Sequence, residues 1–156
     1  ANYNGRWAKG VAMARQLADF LGRWVIDRKI TNSIGPDGRL NGWAEFTTDD
    51  VGLVCTEHGT LQMQGQPPSA ASRRTLWRTD GADIAVFFAD GRAFHHFDPT
   101  APRASTHHNC PPDLYLVQYD FSDWTETAPV WQTQWRVSGP RKDYTMQTHY
   151  RRRHDP

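Results

Sequence analysis

Ile84-Ala85-Val86-Phe87-Phe88-Ala89-Asp90-Gly91-Arg92-Ala93-Phe94-His95-His96-Phe97 is the stretch on which the fold turns. Two short runs of aromatic and β-branched residues flank Asp90-Gly91, a pair that takes the positive backbone angles of a tight hairpin turn. The spacing predicts strands over 84–88 and 92–97. Their alternation places Arg92, Phe94 and His96 on one face and Ala93, His95 and Phe97 on the other.

The same period of two extends in both directions. Upstream, Trp24, Ile26, Arg28 and Ile30 share a mostly apolar face, opposite Val25, Asp27, Lys29 and Thr31. Pro36-Asp37-Gly38 turns the chain into Leu40–Thr47. Asp49-Asp50 leads into a third strand over 51–63, with a possible break at Gly59. Residues 65–72 read as a loop around Pro67 and Pro68, followed by a strand over 73–78 and a turn at Asp80-Gly81. Downstream, residues 98–112 read as the longest irregular region, marked by Pro99, Pro102, Pro111 and Pro112. Strands over 114–121, 131–137 and 144–151 complete the chain, with Gly139-Pro140 breaking the last two apart. Residues 7–21 form one short helix by the spacing of Met13, Leu17, Phe20 and Leu21, closed by Gly22.

This makes about nine short strands. No helix of ten or more residues separates them, so parallel crossovers are excluded. An antiparallel meander of eight to ten strands removes its edges by closing into a barrel wide enough for one small ligand. A two-sheet sandwich is the alternative.

Composition agrees with one domain over residues 7–153. The 156 residues carry 18 Lys and Arg against 17 Asp and Glu, a net charge of +1, so no global charge steers a polyanion. The basic tail Arg151-Arg152-Arg153-His154 reads as a solvated end, and no nucleic-acid partner is expected. No run approaches 18 apolar residues, and no leader of basic and then apolar residues is visible, so neither a membrane span nor a signal peptide is expected. Cys55 and Cys110 make no disulfide framework, which points to a reduced, cytoplasmic chain. Seven Trp, five Tyr and seven Phe give an aromatic core.

Leu17-Ala18-Asp19-Phe20-Leu21-Gly22-Arg23-Trp24, a short helix followed by Gly-x-Trp and the first strand, resembles the opening of lipocalins and related calycins. The likeness extends through Leu76-Trp77-Arg78, Val86 to Phe97, His107, Cys110-Pro111-Pro112-Asp113-Leu114-Tyr115, Tyr119 and Trp135 to Tyr144. Together these resemble a family of small lipocalin-like proteins catalogued as a domain of unknown function, over roughly residues 17 to 153. The resemblance implies an all-β, antiparallel, up-and-down calycin barrel with a short N-terminal helix. It implies that Trp24 plugs the closed end and that Arg151 or Arg152 covers it. It carries no agreed activity and no catalytic pattern.

Candidate chemistry therefore rests on single residues. His95 and Phe97 are expected inside, where His95 exchanges a proton near neutral pH or is a hydrogen-bonded core residue. His96 is expected at the surface. Tyr115, Val117, Tyr119 and Phe121 share a face, so Tyr115 and Tyr119 point phenols at a ligand or pack. Trp77 and Trp135 are cavity wall or core. Arg28, if inside, needs an acidic partner, Glu45 or Glu57, or an anionic ligand. Arg141 and Lys142, in Gly139-Pro140-Arg141-Lys142-Asp143-Tyr144, either meet a ligand anion or belong to a turn tied by Asp143 pairing to Arg141 or to backbone N–H groups. His107, His108, Cys110 and Asp113 lack the spacing of a zinc site, so no metal is expected. Cys110 is either a nucleophile with His107 as base or an inert buried thiol.

The expectation is a barrel that binds a small, partly aromatic molecule and transforms it without a cofactor, as an isomerase, cyclase or lyase. His95, Tyr115, Tyr119 and Arg28 form the catalytic set, and Trp77, Phe97, His107, Trp135 and Arg141 the ligand-binding set. The alternative is a non-catalytic carrier, and a third reading is an interaction protein with a filled core. The assembly is expected to be a monomer or homodimer.

Overall fold

The computed structural model describes residues 14–152. Ten antiparallel strands follow one another: β1 (Gly22–Asn32), β2 (Gly38–Thr48), β3 (Leu53–Met63), β4 (Ser69–Asp80), β5 (Asp83–Phe88), β6 (Ala93–Phe97), β7 (Arg103–Cys110), β8 (Asp113–Asp120), β9 (Val130–Ser138) and β10 (Asp143–Arg152). Each pairs with its neighbour in sequence except β6 and β7, and β1 pairs with β10, so the sheet runs β6-β5-β4-β3-β2-β1-β10-β9-β8-β7. The result is a nearly closed up-and-down barrel with one seam, between β6 and β7. The expected all-β calycin-like architecture is the observed one.

Four expectations need correction. The helix over 7–21 is, within the described residues, one four-residue 3-10 turn, Leu17–Phe20, and its Met13 lies outside them. Asp19 ties the turn by accepting from the Gln16 N–H at 2.8 Å. Gly22, at φ +111°, swings the chain directly into β1. Residues 98–112 are not irregular, because β7 occupies most of them. Its inward positions are Ala104, Thr106, His108 and Cys110, too small or polar to show an apolar alternation, and its prolines bracket the strand rather than interrupt it. β4 begins at Ser69 rather than Arg73, and β3 runs unbroken through Gly59. Gly59 lies opposite Gly42 on β2. A Cβ on Gly59 would come within 2.8 Å of both the Asn41 carbonyl and the Leu40 side chain, so the pair lets these strands approach closely.

The barrel has two ends of different character. At the closed end, Phe20 from the 3-10 turn is fully buried among Phe46, Trp77, Phe121, Trp124 and Trp131, with ring centroids 5.3–6.1 Å away. Trp24 is buried beside them and donates from its indole N–H to the Phe20 carbonyl at 2.9 Å. Arg152, of the two arginines considered, covers it. Its guanidinium lies 3.9 Å from the Trp24 ring centroid and donates to the carbonyls of Leu21 and Asp19, each at 2.7 Å. At the open end the inward residues Ile30, Leu61, Tyr115, Trp135 and Met146 are only half-buried.

Arg152 thus joins the end of the last strand to the turn before the first. Arg152→Met removes two charge-assisted hydrogen bonds and a cation–π contact while keeping much of the stem. It is expected to cost about 2 kcal/mol. Thermal unfolding should show a drop of about 5 °C; an unchanged midpoint would show that the cap contributes nothing.

Candidate functional site

Between the closed aromatic plug and the open end lies a belt of polar side chains. It follows from strand register. Arg28 on β1 lies opposite Thr148 on β10, Thr148 opposite Thr133 on β9, and Thr133 opposite Tyr119 on β8. All four side chains are buried. Arg28 donates from Nε to the Thr148 hydroxyl at 2.7 Å. Its other nitrogens grip Glu57 on β3, Nη1 to Oε1 at 3.0 Å and Nη2 to Oε2 at 3.1 Å. Glu57, not Glu45, is therefore the acidic partner of Arg28; Glu45 pairs with Arg23. Arg73 on β4 reaches the same carboxylate from Nη2 at 3.2 and 3.3 Å and lies 4.5 Å from the Trp135 ring centroid.

Burial alone would raise the Glu57 carboxyl, but Arg73 and Arg28 outweigh it and hold the pKa near 2. The cluster carries two positive charges against one negative. Arg28 spends its donors within the belt. Arg73 does not: its side chain is 34% exposed, and its buried Nε–H has no acceptor.

The other end of the belt crosses the seam. His95 on β6 is 7% exposed, and its Nε2 lies 2.7 Å from the Tyr119 hydroxyl on β8. Ala104, opposite Tyr119 on the intervening β7, is small enough to leave that path open. Phe97 stacks on Tyr119 at 3.9 Å. This hydrogen bond and stack bridge the one join that lacks a backbone ladder. Burial, then the nearby charges of His108, His96 and Arg73, lower the His95 pKa to about 3. Burial likewise pushes the Tyr119 phenol well above its ordinary range. At neutral pH both groups are uncharged, which suits hydrogen bonding and makes His95 a weak base. His95 Nδ1 and the Thr133 hydroxyl, 4% exposed, are also buried without partners.

Above the belt stands an aromatic collar. Phe94 is its hub, stacked on Phe88 at 4.5 Å and edge-on to Trp135 at 5.0 Å, His108 at 5.6 Å and Tyr115 at 5.8 Å.

The expected residues divide accordingly. Arg28, His95 and Tyr119 belong to the belt, and Tyr115 and Trp135 to the collar. Trp77 and Phe97 lie in the sealed aromatic core, 5.6 Å apart, below the open end. His107 is exposed on the outer face of β7; the alternation gives the inward place to His108. Arg141 is exposed in the turn between β9 and β10 at the open rim, and Asp143 pairs with Arg136 rather than with Arg141. His96 is exposed and bound to Asp83. Cys110 is half-buried, not buried. Among the described residues no group of three or more His, Cys, Asp or Glu side chains is placed to hold a metal ion, and no helix is long and apolar enough to cross a membrane.

Sequence reasoning missed Arg73, Thr133 and Phe94 as site residues. Arg73 was within reach, since it shares the parity of Trp77 along β4. Phe94 was not, because a bulge between Val86 and Phe87 shifts the register of β5 on β6 and buries both Phe94 and His95.

A nearly closed ten-stranded barrel with a plugged end and a polar belt defines a calycin-type fold. Within that class, the chain belongs to a family of unknown function, DUF6314, whose pattern matches residues 20–152. No curated protein sequence matches it. Among solved structures it is similar to the S-type phycobiliprotein lyase CPES from Guillardia theta, with a TM-score of 0.60 and 8% identity over 97% of this chain and 99% of that one. It is also similar to a protein of unknown function from the DUF3598 family of Nostoc punctiforme, with a TM-score of 0.50 and 13% identity over 88% of this chain. There it spans about half the length, 48%. At these identities the likeness is one of fold.

The lowered His95 pKa makes a pH prediction. A histidine that stays neutral when folded contributes stability present above its unfolded pKa, near 6.5, and lost as pH falls toward 3. Wild-type unfolding free energy should fall by up to about 1.4 kcal/mol per pH unit below pH 6.5 from this one group. His95→Gln should be less stable at pH 7 yet show a flatter profile between pH 6.5 and 5 by urea unfolding. Parallel profiles would show that His95 is not held neutral.

Proposed function

We propose that the protein binds a small, partly aromatic organic molecule at the open end of its barrel, with the collar as the wall and the polar belt as the floor. The observation that carries this reading is the pattern of burial. Inward side chains below the belt are sealed, whereas Tyr115, His108 and Trp135 above it are half-buried, a wall of rings presented to solvent. An apolar wall with a few fixed polar groups beneath it is what small-molecule sites share. Phe94 holds several of these rings in place, so little side-chain freedom is lost when a flat ligand slides between them.

A second reading adds turnover. The His95–Tyr119 hydrogen bond favours it, as does the fact that a barrel of similar fold is a phycobiliprotein lyase. The pair keeps one free donor, His95 Nδ1–H when the Tyr119 hydroxyl donates to Nε2, and that donor would orient a carbonyl and stabilise charge developing on its oxygen, as in cofactor-free lyase, isomerase or cyclase chemistry. A base with a pKa near 3 removes protons poorly at pH 7, which places binding ahead of catalysis.

N-phenyl-1-naphthylamine, a neutral probe that brightens in apolar surroundings, should show saturable binding to one site per chain. Trp135→Ala should weaken it about tenfold, or about 1.4 kcal/mol. Unsaturable binding, or binding indifferent to Trp135→Ala in a variant that stays folded, would sink the reading. Turnover is tested by chromatography of conjugated ketones incubated with the protein. A product formed by the wild type and lost in Tyr119→Phe supports catalysis; unchanged compounds leave binding alone.

A further inference from the structure

We infer that the ligand of this barrel carries one negatively charged oxygen group, a carboxylate, and that Arg73 receives it. The inference rests on the proposed site at the open end and specifies what that site recognises.

Charge balance is the first argument. Arg28 and Arg73 share one carboxylate, Glu57, which leaves a surplus of one positive charge inside the barrel. The surplus is not spread evenly. Arg28 is bidentate on Glu57 and has its Nε on Thr148, whereas Arg73 touches Glu57 through Nη2 alone. Arg73 is also the more exposed of the two, at 34% against 6% of the side chain, and so faces the open end. An unbalanced guanidinium in such surroundings attracts an anion more strongly than it would in water.

Unmet hydrogen bonding is the second argument. Buried polar atoms almost always have partners, and each exception calls for one. Three exceptions lie on the belt: the Arg73 Nε–H, the Thr133 hydroxyl and His95 Nδ1. They come from three strands, β4, β9 and β6, and their side chains all turn into the barrel. Thr133 and His95 are each more than nine-tenths buried. The Arg73 Nε–H and the Thr133 hydroxyl can both donate to a carboxylate. His95 Nδ1 carries the proton and becomes a third donor when the Tyr119 hydroxyl donates to Nε2. Among the described residues, every other buried polar side-chain atom of the belt has a partner, and these three alone are left free.

Geometry sets the rest of the ligand. The Arg73 guanidinium lies against Trp135, a member of the collar, so a carboxylate on Arg73 brings an attached ring among Trp135, Tyr115 and His108. One anionic charge on a flat apolar body matches both halves of the site. A dianion would exceed the surplus, and a neutral carbonyl would accept the Arg73 hydrogen bond but leave the surplus charge unbalanced.

The test is competition against N-phenyl-1-naphthylamine by 2-naphthoate and 2-naphthamide, which share a ring system and differ in charge. Direct titration of each compound by tryptophan quenching accompanies it. The carboxylate should bind at least about tenfold more tightly than the amide. Arg73→Met should bring that ratio close to one. If Arg73→Met does not fold, Thr133→Val, which leaves the ion pairs intact, should reduce the ratio several-fold, and an unchanged ratio would overturn the inference. Equal binding of both compounds to the wild type would also overturn it while leaving the aromatic site standing, with water meeting the free donors. Failure of all three compounds to bind would remove the site and the inference together.

Discussion

The ion pair between Arg28 and Glu57 is the constraint around which the barrel is organised. It passes over β2 to tie β1 to β3, with both partners buried and both carboxylate oxygens engaged. Two charges taken out of water cost several kcal/mol each, and their attraction offsets this only when the geometry leaves nothing unpaired. Strand register supplies that geometry: Arg28 lies beside Thr148, whose hydroxyl takes the last of its donors used here. The pair also fixes Arg73, whose place above Trp135 follows from sharing the same carboxylate. Removing Glu57 would strand the buried Arg28 charge, a loss of about 3–5 kcal/mol. The belt is therefore a structural member before it is anything else.

Much of the fold was legible in the sequence, and the reasons are specific. The Asp90-Gly91 hairpin, the parity of Trp24, Ile26 and Arg28, and the demand of a buried Arg28 for an acid all follow from backbone geometry and electrostatics. β7 was hidden because its inward residues are small or polar: the sheet needs only backbone pairing with β8 and a path for His95 to reach Tyr119. The choice between His107 and His108 depended on recognising that strand, since pairing with β8 sets His108 opposite Tyr115. Trp77 and Phe97 were rightly read as inward. Depth along the barrel axis, which alternation does not encode, decides that they are core. The belt's free donors were beyond reach, because their isolation depends on which neighbours the other side chains already hold.

The chemistry of the site is governed more by burial than by residue identity. A histidine and a tyrosine in contact suggest proton exchange when read from sequence. Placed in the barrel, both are held in their neutral forms, and their shared hydrogen bond bridges the seam between β6 and β7. Similarity to a lyase at 8% identity shows that the architecture is shared; the inward-facing side chains must be argued on their own chemistry.

The division of the barrel at its belt has an evolutionary consequence. Below it, Phe20, Trp24, Trp131 and Tyr150 are locked by mutual contact, so a change in one disturbs the others. Above it, Tyr115, His108 and Trp135 are each bounded on one side by solvent and can change size without opening a sealed void. Stability and recognition are thus carried by different stretches of the same strands. Mutation can remodel the collar, and with it the ligand accepted, while the foundation that keeps the chain folded stays as it is.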